Sequence, residues 1–154
     1  MKQDLLFISH SSFDTKFVKK LAMDLQARGV STWLDVLDIE TGEDWNDSIQ
    51  DALRNCTYLL VVWSKKSVRS PEVLAEVFQA KSQDKEILQI IIEECKRPAQ
   101  FTRLQAVDFR GNYEEAFEKL FSFTPLAKRK IRLKEFEALS PANPYPRLPQ
   151  LRQL

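Results

Sequence analysis

The chain has 154 residues, 44% hydrophobic and 29% charged, with 23 basic and 22 acidic side chains and a formal net charge of +1. That length supports one core and hardly two, and the balanced charge argues against a protein held to nucleic acid by a global positive field. No apolar run approaches the roughly 18 residues of a membrane span, and Met1-Lys2-Gln3-Asp4 has no signal-peptide layout, so a soluble cytoplasmic protein without a membrane role is expected.

In chain order, Leu5 to Ile8 is a short continuous apolar run, the pattern of a strand covered on both faces, and Ser9-His10-Ser11-Ser12 ends it. Phe17, Val18, Leu21 and Leu25 then recur at helical spacing up to Arg28-Gly29, where glycine supplies a left-handed stop. Val30 to Leu34 reads as the second strand. A polar segment, Asp35 to Asp44, leads into a helix bearing Ile49, Ala52 and Leu53. Tyr58 to Trp63 is the strongest strand signal. Ser70-Pro71 starts a helix for a physical reason: the serine hydroxyl caps, and proline at the first position lacks only an N–H that had no partner. That helix is expected to turn Val73, Leu74, Val77 and Phe78 inward. Ile87 to Ile92 and Leu104 to Phe109 read as strands four and five, and Tyr113 to Phe121 as the last helix.

Five strands alternating with helices predict an α/β domain: a flavodoxin-like three-layer sandwich around a parallel sheet of order 2-1-3-4-5. In such sheets ligands bind beyond the carboxyl ends of the strands where the order reverses, here between strands one and three. The facing loops are Ser9 to Asp14 and Ser64 to Ser70. Charge and composition both change near residue 123. Residues 1–123 carry 16 basic and 20 acidic side chains and residues 124–154 carry 7 and 2, with five of the seven prolines in the last 30 residues. Residues 124–154 are therefore expected to be a basic, proline-rich, partly extended linker leading from the 1–123 domain to a further domain.

Special residues are scarce. Gly29, Gly42 and Gly111 are too far apart for a phosphate-binding glycine loop, and Cys56 and Cys95 suit a reducing compartment better than a disulfide or zinc framework. The single histidine, His10, removes any multi-histidine metal site. A Ser9-His10-aspartate triad is disfavoured because neighbours on one loop do not readily present nucleophile and base to each other. A phospho-acceptor receiver would need acids after strand one and an aspartate ending strand three, where Ser9-His10 and Trp63-Ser64 stand. Lys128-Arg129-Lys130, Arg132 and Lys134 lack interleaved aromatics, so no nucleic acid is expected on this domain.

Three blocks together resemble the TIR (Toll/interleukin receptor) domain of prokaryotic type. Phe7-Ile8-Ser9-His10-Ser11-Ser12-Phe13-Asp14 looks like its first strand and loop. Trp33-Leu34-Asp35 through Ile39-Glu40-Thr41-Gly42-Glu43 looks like its second strand and BB loop. Ser64 to Glu76 looks like its serine-rich loop running to a glutamate in the third helix. The blocks stand in family order across about residues 4 to 122.

The resemblance implies an NAD+ nucleosidase that cleaves the nicotinamide–ribose bond, giving ADP-ribose or a cyclic isomer after self-assembly, in prokaryotic anti-phage defence. NAD+ would be the substrate, with no cofactor and no metal. By position Glu76 would be catalytic: the nicotinamide is already a cationic leaving group, so the remaining demand is a carboxylate facing an oxocarbenium-like ribose. Ser9, His10, Ser11, Ser12, Trp33, Ser67, Ser70 and Glu72 would hold the NAD+, with Ser12 as the better helix cap. Asp38, Ile39, Glu40, Gly42 and Trp45 would mediate self-association. Enzymatic members usually carry an aromatic residue four before the glutamate, where this chain has Glu72; that leaves stacking to Trp33, Trp45 or a neighbouring subunit. The competing expectation is a TIR module that signals by assembly without catalysis.

Overall fold

Five parallel strands form one sheet in the order β2-β1-β3-β4-β5 in the computed structural model, which describes residues 4–34 and 45–139. The strands are β1 (Leu6–Ser9), β2 (Thr32–Trp33), β3 (Tyr58–Trp63), β4 (Glu86–Ile91) and β5 (Val107–Asp108). The helices are α1 (Thr15–Ala27), α2 (Trp45–Asn55), α3 (Pro71–Ser82), α4 (Ala99–Thr102), α5 (Tyr113–Ser122) and α6 (Pro125–Ala138). The expected class and strand order are both present. All four residues of β1 and all six of β3 are buried, as a strand covered on both faces requires.

Because successive side chains in a strand point to opposite faces, the period of two sorts the core into two layers. Leu6, Ile8, Tyr58, Leu60 and Val62 pack with Val18, Leu21 and Leu25 of α1 and with Phe117 and Leu120 of α5. The alternate residues Phe7, Leu59, Val61 and Trp63 pack with Ala52 and Leu53 of α2 and with Val73, Val77 and Ala80 of α3. Across the first layer the Tyr113 hydroxyl donates to Asp24 Oδ2 at 2.5 Å, tying α5 to α1. Burial, with the Asp24 carboxylate second, pushes that phenol up from its ordinary range.

Several local expectations are corrected. The second strand shrinks to Thr32–Trp33, and the fifth to Val107–Asp108. Leu104, expected in strand five, is 46% exposed, and the chain ahead of it forms the short helix α4. On α3 the buried stripe runs through Val73, Val77 and Ala80, so Phe78 falls at its edge, 37% exposed, with its ring against Phe101.

Residues 125–138 of the tail are helical, and residues 140–154 lie outside the described residues. Its start repeats the device of α3: Thr124 Oγ1 accepts from the Ala127 N–H, and Pro125 occupies the first turn. Ala127 is buried in the α1/α5 layer and Leu126 packs against it.

Gly29 ends α1 with φ +91°, and a Cβ there would meet Leu126 Cδ2 at 3.2 Å. The leucine tip can give way but the backbone cannot. Gly29→Ala is therefore expected to cost about 1–2 kcal/mol, the left-handed penalty of an L-residue. A urea midpoint equal to that of the parent chain would contradict this.

Candidate functional site

Ser9 closes β1, two residues beyond Phe7, so it points to the α2/α3 side of the sheet. On that side α3 is anchored by Val73 and Val77, which carries the intervening Glu76 toward the strand ends. The Ser9 hydroxyl, 1% exposed, donates to Glu76 Oε1 at 2.6 Å. That is a short hydrogen bond to a charged acceptor, and it fixes one carboxylate oxygen. A hydroxyl carries one proton, so this bond leaves Ser9 none to give His10. His10 Nδ1 lies 2.9 Å from the Ser11 carbonyl, which only accepts, so Nδ1 carries the proton.

The two loops facing the crevice are cross-linked beneath it. The Ser64 hydroxyl donates to Asp14 Oδ2 at 2.5 Å, and the Ser64 N–H donates to Ser67 Oγ at 2.7 Å. Ser67 in turn donates to the Val62 carbonyl at 2.7 Å. Both serines are fully buried, so the serine-rich loop is a structural brace on this side. Ser70 caps α3, its Oγ accepting from the Val73 N–H at 3.2 Å and donating to Glu72 Oε1 at 3.2 Å.

Above this floor lies an open cleft of ≈ 360 Å³ lined by His10, Ser11, Ser12, Phe13, Ile49, Lys66, Ser70, Glu72 and Glu76. Its volume is at the lower end for a small-molecule site. Of the residues expected to hold NAD+, the structure brings His10, Ser11, Ser12, Ser70 and Glu72 to the cleft beside Glu76. Ser9 lies beneath Glu76 as its donor. Two expected residues lie elsewhere: Ser67 is spent inside its loop, and Trp33 stacks on Phe7 with ring centroids 5.0 Å apart and planes 16° apart. Ser12 does not cap α1: a short 3-10 turn, Ser12–Asp14, intervenes, Ser11 Oγ caps that turn by accepting from the Phe13 N–H, and Asp14 at the N-cap of α1 makes no side-chain capping bond. Asp38, Ile39, Glu40 and Gly42 lie outside the described residues. Trp45 opens α2, and its side chain also lies outside them.

Phe13, Ile49 and Lys66 line the cleft without having been singled out from sequence. Phe13 is 75% exposed, and Lys66 Nζ stands 4.6 Å from its ring centroid. The available signal was position alone: both residues fall in the two loops that the strand order assigns to the crevice.

Sheet order and cleft position define a three-layer α/β domain with a cleft that opens at the carboxyl ends of the central strands. The TIR domain family model matches residues 6–121, and the chain belongs to that family. Among curated proteins it is 40% identical over 65 residues to the 2′ cyclic ADP-D-ribose synthase AbTIR of Acinetobacter baumannii (strain 1295743). That match spans 42% of this chain and 24% of the relative's length. Among solved structures, the TIR domain of the Toll-related receptor TRR-2 from Hydra magnipapillata superposes with a TM-score of 0.66 at 20% identity, covering 82% of this chain and 97% of that one. The TIR domains of the activated Roq1 resistosome, which directly recognises the pathogen effector XopQ, give 0.60 at 16% identity over 87% and 99%. At these identities the solved structures establish the fold alone. No helix among the described residues is long and apolar enough to cross a membrane.

Serine to alanine at position 9 separates two roles for that hydroxyl. If Ser9 orients Glu76, Ser9→Ala lowers the kcat of any reaction that Glu76 serves in this cleft roughly tenfold and leaves KM within a factor of two, as expected for loss of one charge-assisted hydrogen bond. A raised KM with kcat unchanged would instead make Ser9 a substrate contact.

Proposed function

We propose that this chain cleaves NAD+ at the bond between nicotinamide and ribose, with Glu76 as the catalytic carboxylate. The observation that carries the reading is the Ser9–Glu76 hydrogen bond at the floor of a cleft opening at the strand ends. A carboxylate already oriented by a short hydrogen bond need not reorganise as a positive charge forms beside it.

The C1′–N bond breaks with its electron pair going to the pyridinium nitrogen, which leaves as neutral nicotinamide. The ribose is left as an oxocarbenium-like cation against Glu76. Water adding at C1′ and releasing a proton gives ADP-ribose; a ribose hydroxyl adding there gives a cyclic isomer. Glu72, exposed on the same cleft, adds a second negative charge that favours the cationic end of the substrate. The name of the Acinetobacter relative supports cyclisation as one outcome.

Self-association activates the reaction in this reading, through Asp38 to Trp45. The TIR domains of the Roq1 resistosome are an assembled relative of the same fold. Residues 124–154 connect the domain to a further domain or partner, and the protein acts in the cytoplasm in prokaryotic anti-phage defence.

The test is product identification after incubating the chain with NAD+ at rising concentration. Release of nicotinamide that rises more steeply than protein concentration, with ADP-ribose or its cyclic isomer in equal amount, is expected. Intact NAD+ alongside verified oligomers would favour the non-catalytic signalling module, with Glu72 in place of a ring as the first reason.

A further inference from the structure

We propose that Phe13 and Lys66 form a clamp for a pyridinium ring and its adjoining phosphate at the mouth of the Glu72–Glu76 cleft. The inference deepens the NAD+ reading and rests on it. Phe13 is 75% exposed within the lining of the cleft, where its ring contributes little to the core. One cation is already over that ring, the Lys66 ammonium 4.6 Å from its centroid.

The platform is held in place from below. Ser11 Oγ accepts from the Phe13 N–H at 3.2 Å, and the Ser11 carbonyl accepts from the Asp14 N–H at 2.9 Å. Asp14 is bonded to Ser64, two residues before Lys66, so ring and ammonium ride on loops joined to each other. The two loops are joined before ligand arrives, which reduces the backbone entropy lost on binding.

A nicotinamide mononucleotide unit matches the pair in chemistry. Its ring is flat and cationic, and an aromatic face attracts such a cation. Its phosphate is the natural partner for a lysine ammonium. On binding, the pyridinium replaces the ammonium over Phe13 and Lys66 turns to the phosphate. When the C1′–N bond breaks, the electron pair neutralises the ring, so the attraction to Phe13 falls and the product leaves more readily than the substrate. The clamp also favours the oxidised ring over the uncharged dihydropyridine of the reduced form.

The experiment is calorimetric titration of the full chain with β-nicotinamide mononucleotide, comparing the parent with Phe13→Ala, Phe13→Trp and Lys66→Gln, all checked for retained fold by circular dichroism. Phe13→Ala is expected to weaken binding about tenfold, and Phe13→Trp to retain it. Lys66→Gln is expected to weaken the mononucleotide but not nicotinamide riboside, which lacks the phosphate. Equal binding by the parent and Phe13→Ala, or no binding by the parent, would overturn the clamp. Nicotinamide release from NAD+ by the clustered chain is read in parallel. Release undiminished in Phe13→Ala, with mononucleotide affinity unchanged, overturns the clamp and leaves Glu76 in its role. Phe13-dependent binding without any release supports the clamp and overturns NAD+ cleavage.

Discussion

Glu76→Gln is expected to lower nicotinamide release from NAD+ by on the order of 10²–10³-fold, the scale seen when one preorganised electrostatic group is removed from an active site. The substitution keeps the shape of the side chain and removes its charge. The Ser9 hydroxyl, now 2.6 Å from Oε1, can donate to an amide oxygen as well, so the β1–α3 contact survives. Glu76 is only partly buried. Loss of rate with an unchanged melting curve would therefore report the ribose cation that the carboxylate faces. Glu72→Gln is the matched control: it removes a neighbouring exposed charge held by the longer, 3.2 Å bond from Ser70, and a smaller loss is expected.

Gln89→Leu is expected to destabilise the domain by about 2–4 kcal/mol even though it makes the core more apolar. Gln89 lies on β4, 2% exposed, and its Oε1 accepts from Trp63 Nε1 at 2.8 Å and from Arg97 Nη1 at 3.0 Å. Its own amide donates to the Phe101 carbonyl at 3.3 Å. Leucine leaves the indole N–H of a fully buried tryptophan without an acceptor and takes one acceptor from Arg97. Arg97 keeps the Phe101 carbonyl at 2.9 Å, which limits the loss. The node joins β3, β4 and α4, so local opening of the sheet edge should precede global unfolding. A urea midpoint within 0.5 kcal/mol of the parent, on the usual scale of a neutral surface change, would show that the node is dispensable.

The parts of the fold legible in the sequence are those specified locally. Tyr58–Trp63 stands as read, because an unbroken apolar run bounded by polar residues has one simple explanation in a parallel sheet. Ser70-Pro71 starts α3 as its cap chemistry dictates. Thr124-Pro125 has the same chemistry and starts α6, ahead of the prolines that cluster from Pro141 onward. Strand five is shorter than its apolar pattern predicts, because Leu104 and Val107 are apolar alike but one faces solvent and the other the core.

The site was legible as a place more than as a set of contacts. The strand order names the two loops, and His10, Ser11, Ser12, Ser70, Glu72 and Glu76 do meet there. What the sequence does not encode locally is which hydroxyl is spent on which partner. Ser67 and Ser70 look alike in sequence, but one braces its own loop and the other caps a helix at the cleft. Trp33 was a plausible ring for the ligand until its stacking on Phe7 placed it against the sheet. Phe13 has no local signal that sets it apart at the cleft, because an exposed phenylalanine in a loop has no periodic signature.

The most direct measurement is nicotinamide release from NAD+ by the chain held in verified oligomers, beside Glu76→Gln at equal concentration and with equal circular dichroism. Release by the parent and its loss in Glu76→Gln is the predicted result. Equal release from both would contradict the role of Glu76 and move the chemistry elsewhere in the cleft, and no release from either would contradict NAD+ cleavage itself.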